Sequence, residues 1–309
     1  MRPQKLLLLL SLVALSLNGS TNLWAAKKIK IVTTTSTFAS IAGDIAGDKA
    51  DIYFIASPNR DIHFISPTPK DVMKLKNADA FVHAGLDLET WRGPLLDAVG
   101  RLDLMAPTGE RQIDASKGIS LVEIPTSLSR AQGDIHAFGN PHYWMDPMNG
   151  KILAENIASG LARLYPEDAD FFRKNAEEFG KKIDAKMKDW QRSIDPYKGE
   201  PVVLYHNTWP YFMERFGLVI AGYLEPKPGI PPTTKHLEAL SQIMKARHVK
   251  VIVKEIFHEG RAPKKLAREN GAAMVTLNTE AGQMKDGDYF ALVDHDIEAL
   301  VKGFQGSNS

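Results

Sequence analysis

From about residue 29 onward the chain alternates two kinds of pattern. Short, mostly apolar runs recur at Ile29 to Thr34, Asp51 to Ala56, Ala80 to Ala84, Val202 to Tyr205, Val219 to Leu224, Val249 to Lys254 and Ala273 to Leu277. Segments with apolar residues every three or four positions lie between most of them, which predicts strands alternating with helices. The runs are apolar almost throughout rather than alternating with polar residues, the mark of parallel sheets covered on both faces. The expected fold class is therefore α/β. The strands fall into one group before about residue 110 and another after about residue 200. Two lobes are expected, each a parallel sheet flanked by helices.

The middle of the chain is helical. Asp146 and Pro147 provide a cap and a first-turn proline, and Pro166 with Glu167 and Asp168 opens a second helix. In that second helix Phe172, Ala176, Phe179, Ile183, Met187, Trp190 and Ile194 form one apolar stripe that runs until Pro196. From Pro166 to Ile194 it would span about 43 Å at 1.5 Å per residue. That outruns either lobe, so a rigid helix joining the two and permitting only limited hinge motion is expected. The expected division is an N-terminal lobe over 27–165, the linking helix over 166–194 and a C-terminal lobe over 195–309. Gly109 to Gly139 has little apolar period and reads as a loop.

The first 26 residues change the compartment. Arg2 and Lys5 precede an apolar run from Leu6 to Leu17, and Ala25-Ala26 offers small residues at a cleavage position. This is the pattern of a signal peptide, and a run of about a dozen residues is too short to span a bilayer. Removing 1–26 leaves 309 − 26 = 283 residues, with net charge +1 − 2 = −1. A soluble protein exported to the periplasm, and a monomer, is expected. The chain contains no cysteine, which excludes thiolate metal sites, Cys nucleophiles and a lipid-bearing N-terminal Cys. With 38 basic against 37 acidic residues there is no charge excess to argue for nucleic acid.

Any metal site must then use imidazoles and carboxylates. Ligands of open parallel sheets gather beyond the carboxyl ends of strands. His206, Glu225, Glu255 and Glu280 follow or end apolar runs, His63 lies in the loop after the second run, and His142 precedes the helix capped by Asp146. Three histidines and a carboxylate suit a tetrahedral Zn²⁺ shell. The spacings of 79 and 64 residues carry no local motif, however, so structural imidazoles stay open as the alternative. A metallohydrolase would use the same three histidines with Glu280 as general base. Glu225 and Glu255 are candidate acceptors for ligand imidazoles. Trp91, Trp144 and Trp209 are read as buried packing, and His83, His236, His248, His258 and His295 as structural or solvated.

Longer stretches carry a resemblance. Asp61-Ile-His63-Phe-Ile-Ser-Pro-Thr-Pro-Lys-Asp71, Gly139-Asn-Pro-His142-Tyr-Trp-Met-Asp-Pro147 and Tyr205-His206-Asn-Thr-Trp-Pro-Tyr-Phe-Met-Glu-Arg-Phe-Gly217 are similar to signatures of the zinc- and manganese-specific solute-binding receptors of ABC importers. So are Leu224-Glu-Pro-Lys-Pro-Gly229 and Asp288-Tyr-Phe-Ala-Leu-Val-Asp294. The resemblance implies a receptor without enzymatic activity that hands its cargo to a membrane permease. It implies that His63, His142 and His206 bind the ion, with Glu280 at the position of a fourth, Asp, ligand in many members. Imidazole at 206, where manganese-preferring members often have Glu, implies Zn²⁺ before Mn²⁺. Related surface proteins include adhesins, a role that the missing lipid-bearing Cys argues against. Zinc receptors often carry a His- and acid-rich tract in the middle loop; here only Asp134 and His136 stand near it.

Overall fold

The computed structural model describes residues 27–105, 109–127 and 136–306, so the leader at 1–26 and Asp134 lie outside the described residues. The N-terminal sheet comprises β1 (Ile29–Thr33), β2 (Ala50–Phe54), β3 (Ala80–His83) and β4 (Gln112–Asp114), ordered β2-β1-β3-β4 and parallel throughout. The C-terminal sheet comprises β5 (Pro201–Leu204), β6 (Val219–Tyr223), β7 (Val251–Glu255) and β8 (Ala273–Leu277) in the equivalent order β6-β5-β7-β8, again parallel. The strand β4 corrects the expectation of a loop from Gly109 to Gly139. Its three residues include one apolar side chain, Ile113, too few to register as a pattern, and pairing with β3 decides its conformation.

Helices α1 (Ser36–Ala46), α2 (Pro69–Lys76) and α3 (Arg92–Val99) belong to the first sheet. Then α4 (Pro147–Leu164) and α5 (Ala169–Ile194) lie between the sheets in sequence, and α6 (Pro210–Phe216), α7 (Thr234–Arg247), α8 (Arg261–Asn270) and α9 (Tyr289–Gly306) accompany the second. The start expected at Pro166 is a 3₁₀ turn over Pro166–Asp168 that leads into α5. The stripe on α5 is buried as expected at Phe172, Ala176, Phe179, Ile183, Trp190 and Ile194, with Met187 half-buried. Among the described residues no helix is long and apolar enough to cross a membrane.

The core does not divide at the lobes. One continuous apolar cluster runs from Ile31 and Phe38 through Trp144, Phe172 and Phe179 to Val253, Tyr289 and Phe304, and so joins both sheets through α1, α4, α5 and α9. A smaller cluster around Val203, Leu240 and Ile252 fills the far face of the second sheet. Buried hydrogen bonds cross the same junction. Trp144 donates its indole N–H to the Thr279 carbonyl at 3.0 Å, and Tyr289 donates its hydroxyl to the Trp144 carbonyl at 2.9 Å. Arg215 makes a paired contact with Asp146, at 2.8 and 2.7 Å. The carboxyl ends of the two sheets therefore face each other across a junction that is packed and polar-paired.

Candidate metal centre

Each candidate ligand sits where a strand or loop is pinned by local chemistry. Asp61 turns the loop after β2. Its carboxylate accepts from the His63 backbone N–H at 2.9 Å and lies 2.6 Å from His63 Nδ1. The loop exit is fixed at Thr68, whose hydroxyl and the Asp71 carboxylate form a reciprocal capping box ahead of Pro69. Asn140 repeats the first device: its carbonyl oxygen accepts from the His142 N–H at 2.9 Å and sits 3.0 Å from His142 Nδ1. Five residues after His142, α4 starts on Pro147 behind the Asp146 cap. His206 follows β5, and its Nδ1 lies 2.7 Å from Glu225 Oε2 just beyond β6.

The three imidazoles converge. Their ring centroids are 5.1 Å apart for His63 and His142, 5.5 Å for His63 and His206, and 5.7 Å for His142 and His206. One nitrogen from each lies within 4.8 Å of the other two. In every case an oxygen acceptor faces Nδ1, which favours the proton there and leaves the Nε2 lone pair free, the arrangement that orients imidazole ligands on a metal. His142 is 3% exposed and His206 7%. Burial, with the neighbouring imidazoles, pushes the His142 pKa well below its ordinary value, so that ring is neutral. Burial alone would lower His206 as well, but the Glu225 hydrogen bond and the charges of Glu255, Glu225 and Asp61 outweigh it and raise its pKa. Burial would raise Asp61, yet the His63 contacts win and bring it down to about 2.

Glu280 enters the same small cavity as His63, His142 and His206. One oxygen is already engaged: Oε2 accepts from Ser36 Oγ at 3.0 Å, Thr37 N at 3.0 Å and Thr37 Oγ1 at 2.9 Å, all at the start of α1. In return those two hydroxyls accept from the Gly282 and Ala281 N–H groups. The other oxygen, Oε1, is buried without a hydrogen-bond partner. Such an atom costs free energy unless something cationic or protic meets it. Burial raises the Glu280 pKa.

His83, at the end of β3, is a structural imidazole as expected: it is buried beside Arg92, away from the cavity, and burial with the Arg92 charge depresses its pKa to about 3. Other residues differ from the sequence reading. His258 is not solvated: its ring stacks on Tyr205 at 4.1 Å and its Nδ1 lies 2.6 Å from Glu255 Oε2. Glu225 reaches a ligand imidazole directly, whereas Glu255 reaches His258 and the Trp209 indole. Asp61 and Asn140 were missed, although Asp-x-His and Asn-x-His are a shared signal, since both residues favour turns that bond two positions on. His136 stands closer than its sequence position implied, with its Nε2 3.2 Å from His63 Nε2. Two ligands on one tetrahedral zinc with bonds of ~2.05 Å would lie about 3.3 Å apart.

Comparisons with known proteins show the family and the fold. A family model described as zinc-uptake complex component A, periplasmic (ZnuA), matches residues 31–303. The zinc-binding protein AdcA of Streptococcus pyogenes serotype M1 is 27% identical over 314 residues, covering 96% of this chain. The chain spans only 61% of AdcA's length. The iron-binding protein YfeA of Yersinia pestis is 28% identical, with 96% of this chain and 92% of YfeA covered. A crystal structure of ZnuA has the same fold, with a TM-score of 0.76 at 21% identity over 90% of this chain and all of the other. A manganese-bound periplasmic metal-binding protein of Candidatus Liberibacter asiaticus gives 0.73 at 23% identity, covering 90% of this chain and all of the other. With the family model matched over nearly all of the described chain, this protein belongs to the family of periplasmic zinc-uptake component A.

Proposed function

We propose that the protein captures Zn²⁺ in the periplasm, holds it between its lobes with His63, His142, His206 and the free oxygen of Glu280, and delivers it to the permease of an ABC importer. The observation that carries this reading is the convergence of three imidazoles from separate loops, each with Nδ1 facing an oxygen and Nε2 left as a donor. Three nitrogens and one carboxylate oxygen form a shell suited to zinc, whereas manganese favours oxygen-rich shells. Relatives are named for zinc, iron and manganese, so the choice of zinc rests on these donors.

On this reading 27–165 and 195–309 act as the two lobes and 166–194 as the helix between them, with the protein working as a monomer. Release requires His206 and Glu280 to move from His63 and His142. The continuous core through α5 and α9 supports a small movement. A metallohydrolase reading finds no support in a family of uptake components.

The test is metal content by mass spectrometry after gentle purification, repeated for His63→Ala, His142→Ala and His206→Ala. One zinc per chain is expected, reduced in each variant. A protein that carries no metal and gains no thermal stability from added Zn²⁺ or Mn²⁺ would defeat the reading.

A further inference from the structure

His136 faces the three-histidine centre from the segment that leads to His142. A turn fixes where it stands: the Gly139 N–H donates to the His136 carbonyl at 3.3 Å, and the Asn140 N–H donates to the Val122 carbonyl at 2.9 Å. Gly139 has a φ of 119°, and a Cβ there would lie 2.9 Å from the Val122 carbonyl oxygen, so the turn requires glycine. The His136 ring hydrogen-bonds to the Asp87 backbone, and its Nε2 faces His63 Nε2 at 3.2 Å. With Nε2 so placed, the nitrogen that donates to the Asp87 carbonyl is Nδ1. That carbonyl is presented by unusual backbone, since Gly85, Leu86 and Asp87 all have positive φ, at 71°, 53° and 59°. Two of the three carry a Cβ, for which left-handed backbone is unfavourable, and such strain persists only where the surroundings impose it. Here Glu89 Oε1 accepts from the Ala84 N–H at 2.6 Å, and Tyr143, beside His142, donates its hydroxyl to the Ala84 carbonyl at 2.8 Å.

His136 therefore repeats the device of the three ligands, an oxygen at Nδ1 and a free Nε2. The consequence is a conflict. His63 keeps its Nδ1 proton for Asp61 and His136 keeps its own for Asp87, so two lone pairs meet at 3.2 Å unless a cation lies between them. Glu280 does not compete for that place: it lines the small cavity with the three ligands, whereas His136 lines a larger one of about 220 Å³ with His142 and His206. We propose that His136 is a fourth imidazole ligand of the same ion and the residue that sets its metal preference. On binding, its ring moves inward, since its centroid is 5.2 Å from that of His63 but 6.2 Å from that of His142. Four imidazoles with one carboxylate suit Zn²⁺, which can expand to five ligands, and disfavour Mn²⁺, which prefers oxygen donors. The inference rests on the three-histidine centre being the metal site, and the test separates the two.

X-ray absorption at the zinc edge of the loaded protein counts its imidazoles, because the ring carbons scatter at fixed distances beyond each ligating nitrogen. Four are expected in the unmodified chain and three in His136→Ala. In competition titrations with a chelator that variant should bind Zn²⁺ about tenfold or more weakly and Mn²⁺ almost as before, with an unaltered metal-free melting temperature. Three imidazoles in the unmodified chain would overturn the proposal, since a proton between His63 and His136 then resolves the conflict, and that count needs no variant. So would a preference for zinc over manganese that is equal in the two proteins. An unmodified chain that takes up neither metal would defeat the reading of the three-histidine centre and this proposal with it, a result distinct from the others.

Discussion

Glu280 is assigned two tasks, one for each oxygen, and two substitutions separate them. In Glu280→Ala the start of α1 loses the acceptor shared by Ser36 Oγ, Thr37 N and Thr37 Oγ1. Leaving buried donors unmatched costs about 1–3 kcal/mol each, partly offset because a buried carboxylate no longer has to be desolvated, so a net loss of about 3 kcal/mol is expected. At about 2–4 °C per kcal/mol this lowers the metal-free melting temperature by about 6–12 °C. In Glu280→Gln the amide oxygen can replace Oε2 and keep those donors, while the NH₂ takes the place of Oε1 and turns hydrogens toward the ion. Metal-free stability should stay close to that of the unmodified chain, and zinc affinity should fall by about 100-fold, the upper range for disturbing a ligand's surroundings. Metal at 1,000 times the original Kd stabilises the unmodified protein by about 4.1 kcal/mol. The same concentration is only tenfold above the Kd of the variant and stabilises it by about 1.4 kcal/mol. Differential scanning calorimetry with and without Zn²⁺ should therefore show a metal-induced rise smaller by about 5–10 °C in Glu280→Gln. A rise equal to that of the unmodified protein would remove Glu280 from the shell. A metal-free melting point as low as that of Glu280→Ala would refute the account of the link to α1.

Three further outcomes are expected. Asn140→Ala removes the acceptor at His142 Nδ1 along with hydrogen bonds from Asn140 to Glu123 and the Asn207 carbonyl, and zinc affinity measured by competition with a chelator should fall about 10–100-fold. Metal binding competes with protons. Because the His206 pKa is raised, its protonated form persists above the ordinary imidazole range, so affinity measured against pH should begin to fall above about pH 6.5 as the solution is acidified. An onset well below that value would contradict the raised pKa, because His142, being depressed, cannot set the upper edge. Gly282→Ala places a Cβ 2.5 Å from Pro58 Cγ and 2.8 Å from Ser36 Oγ, which wedges the Glu280 loop from the first lobe. Overpacking of this kind costs about 1–3 kcal/mol, and both the melting temperature and zinc uptake should decline.

Much of this molecule could be read along the chain. Apolar runs without alternation already required sheets buried on both faces, because a strand open to water on one side would carry polar residues at every second position. The stripe on α5 and the caps at Thr68 and Asp146 are local statements about backbone donors and side-chain spacing, and the helices begin where those residues stand. His63, His142 and His206 could be nominated because strand ends are where such sheets expose their chemistry.

What the chain could not disclose are facts of distance between segments far apart in sequence. Glu280 meets Ser36 and Thr37 across more than 240 residues, and which of its oxygens stays free depends wholly on that meeting. His258 follows a strand like any loop residue, until Tyr205 and Glu255 fix its ring toward Glu225. The strand β4 exists because β3 offers it an edge. Propensity and periodicity act over one turn or one strand, whereas burial, charge pairing and the direction of a lone pair are set by whatever the fold brings alongside.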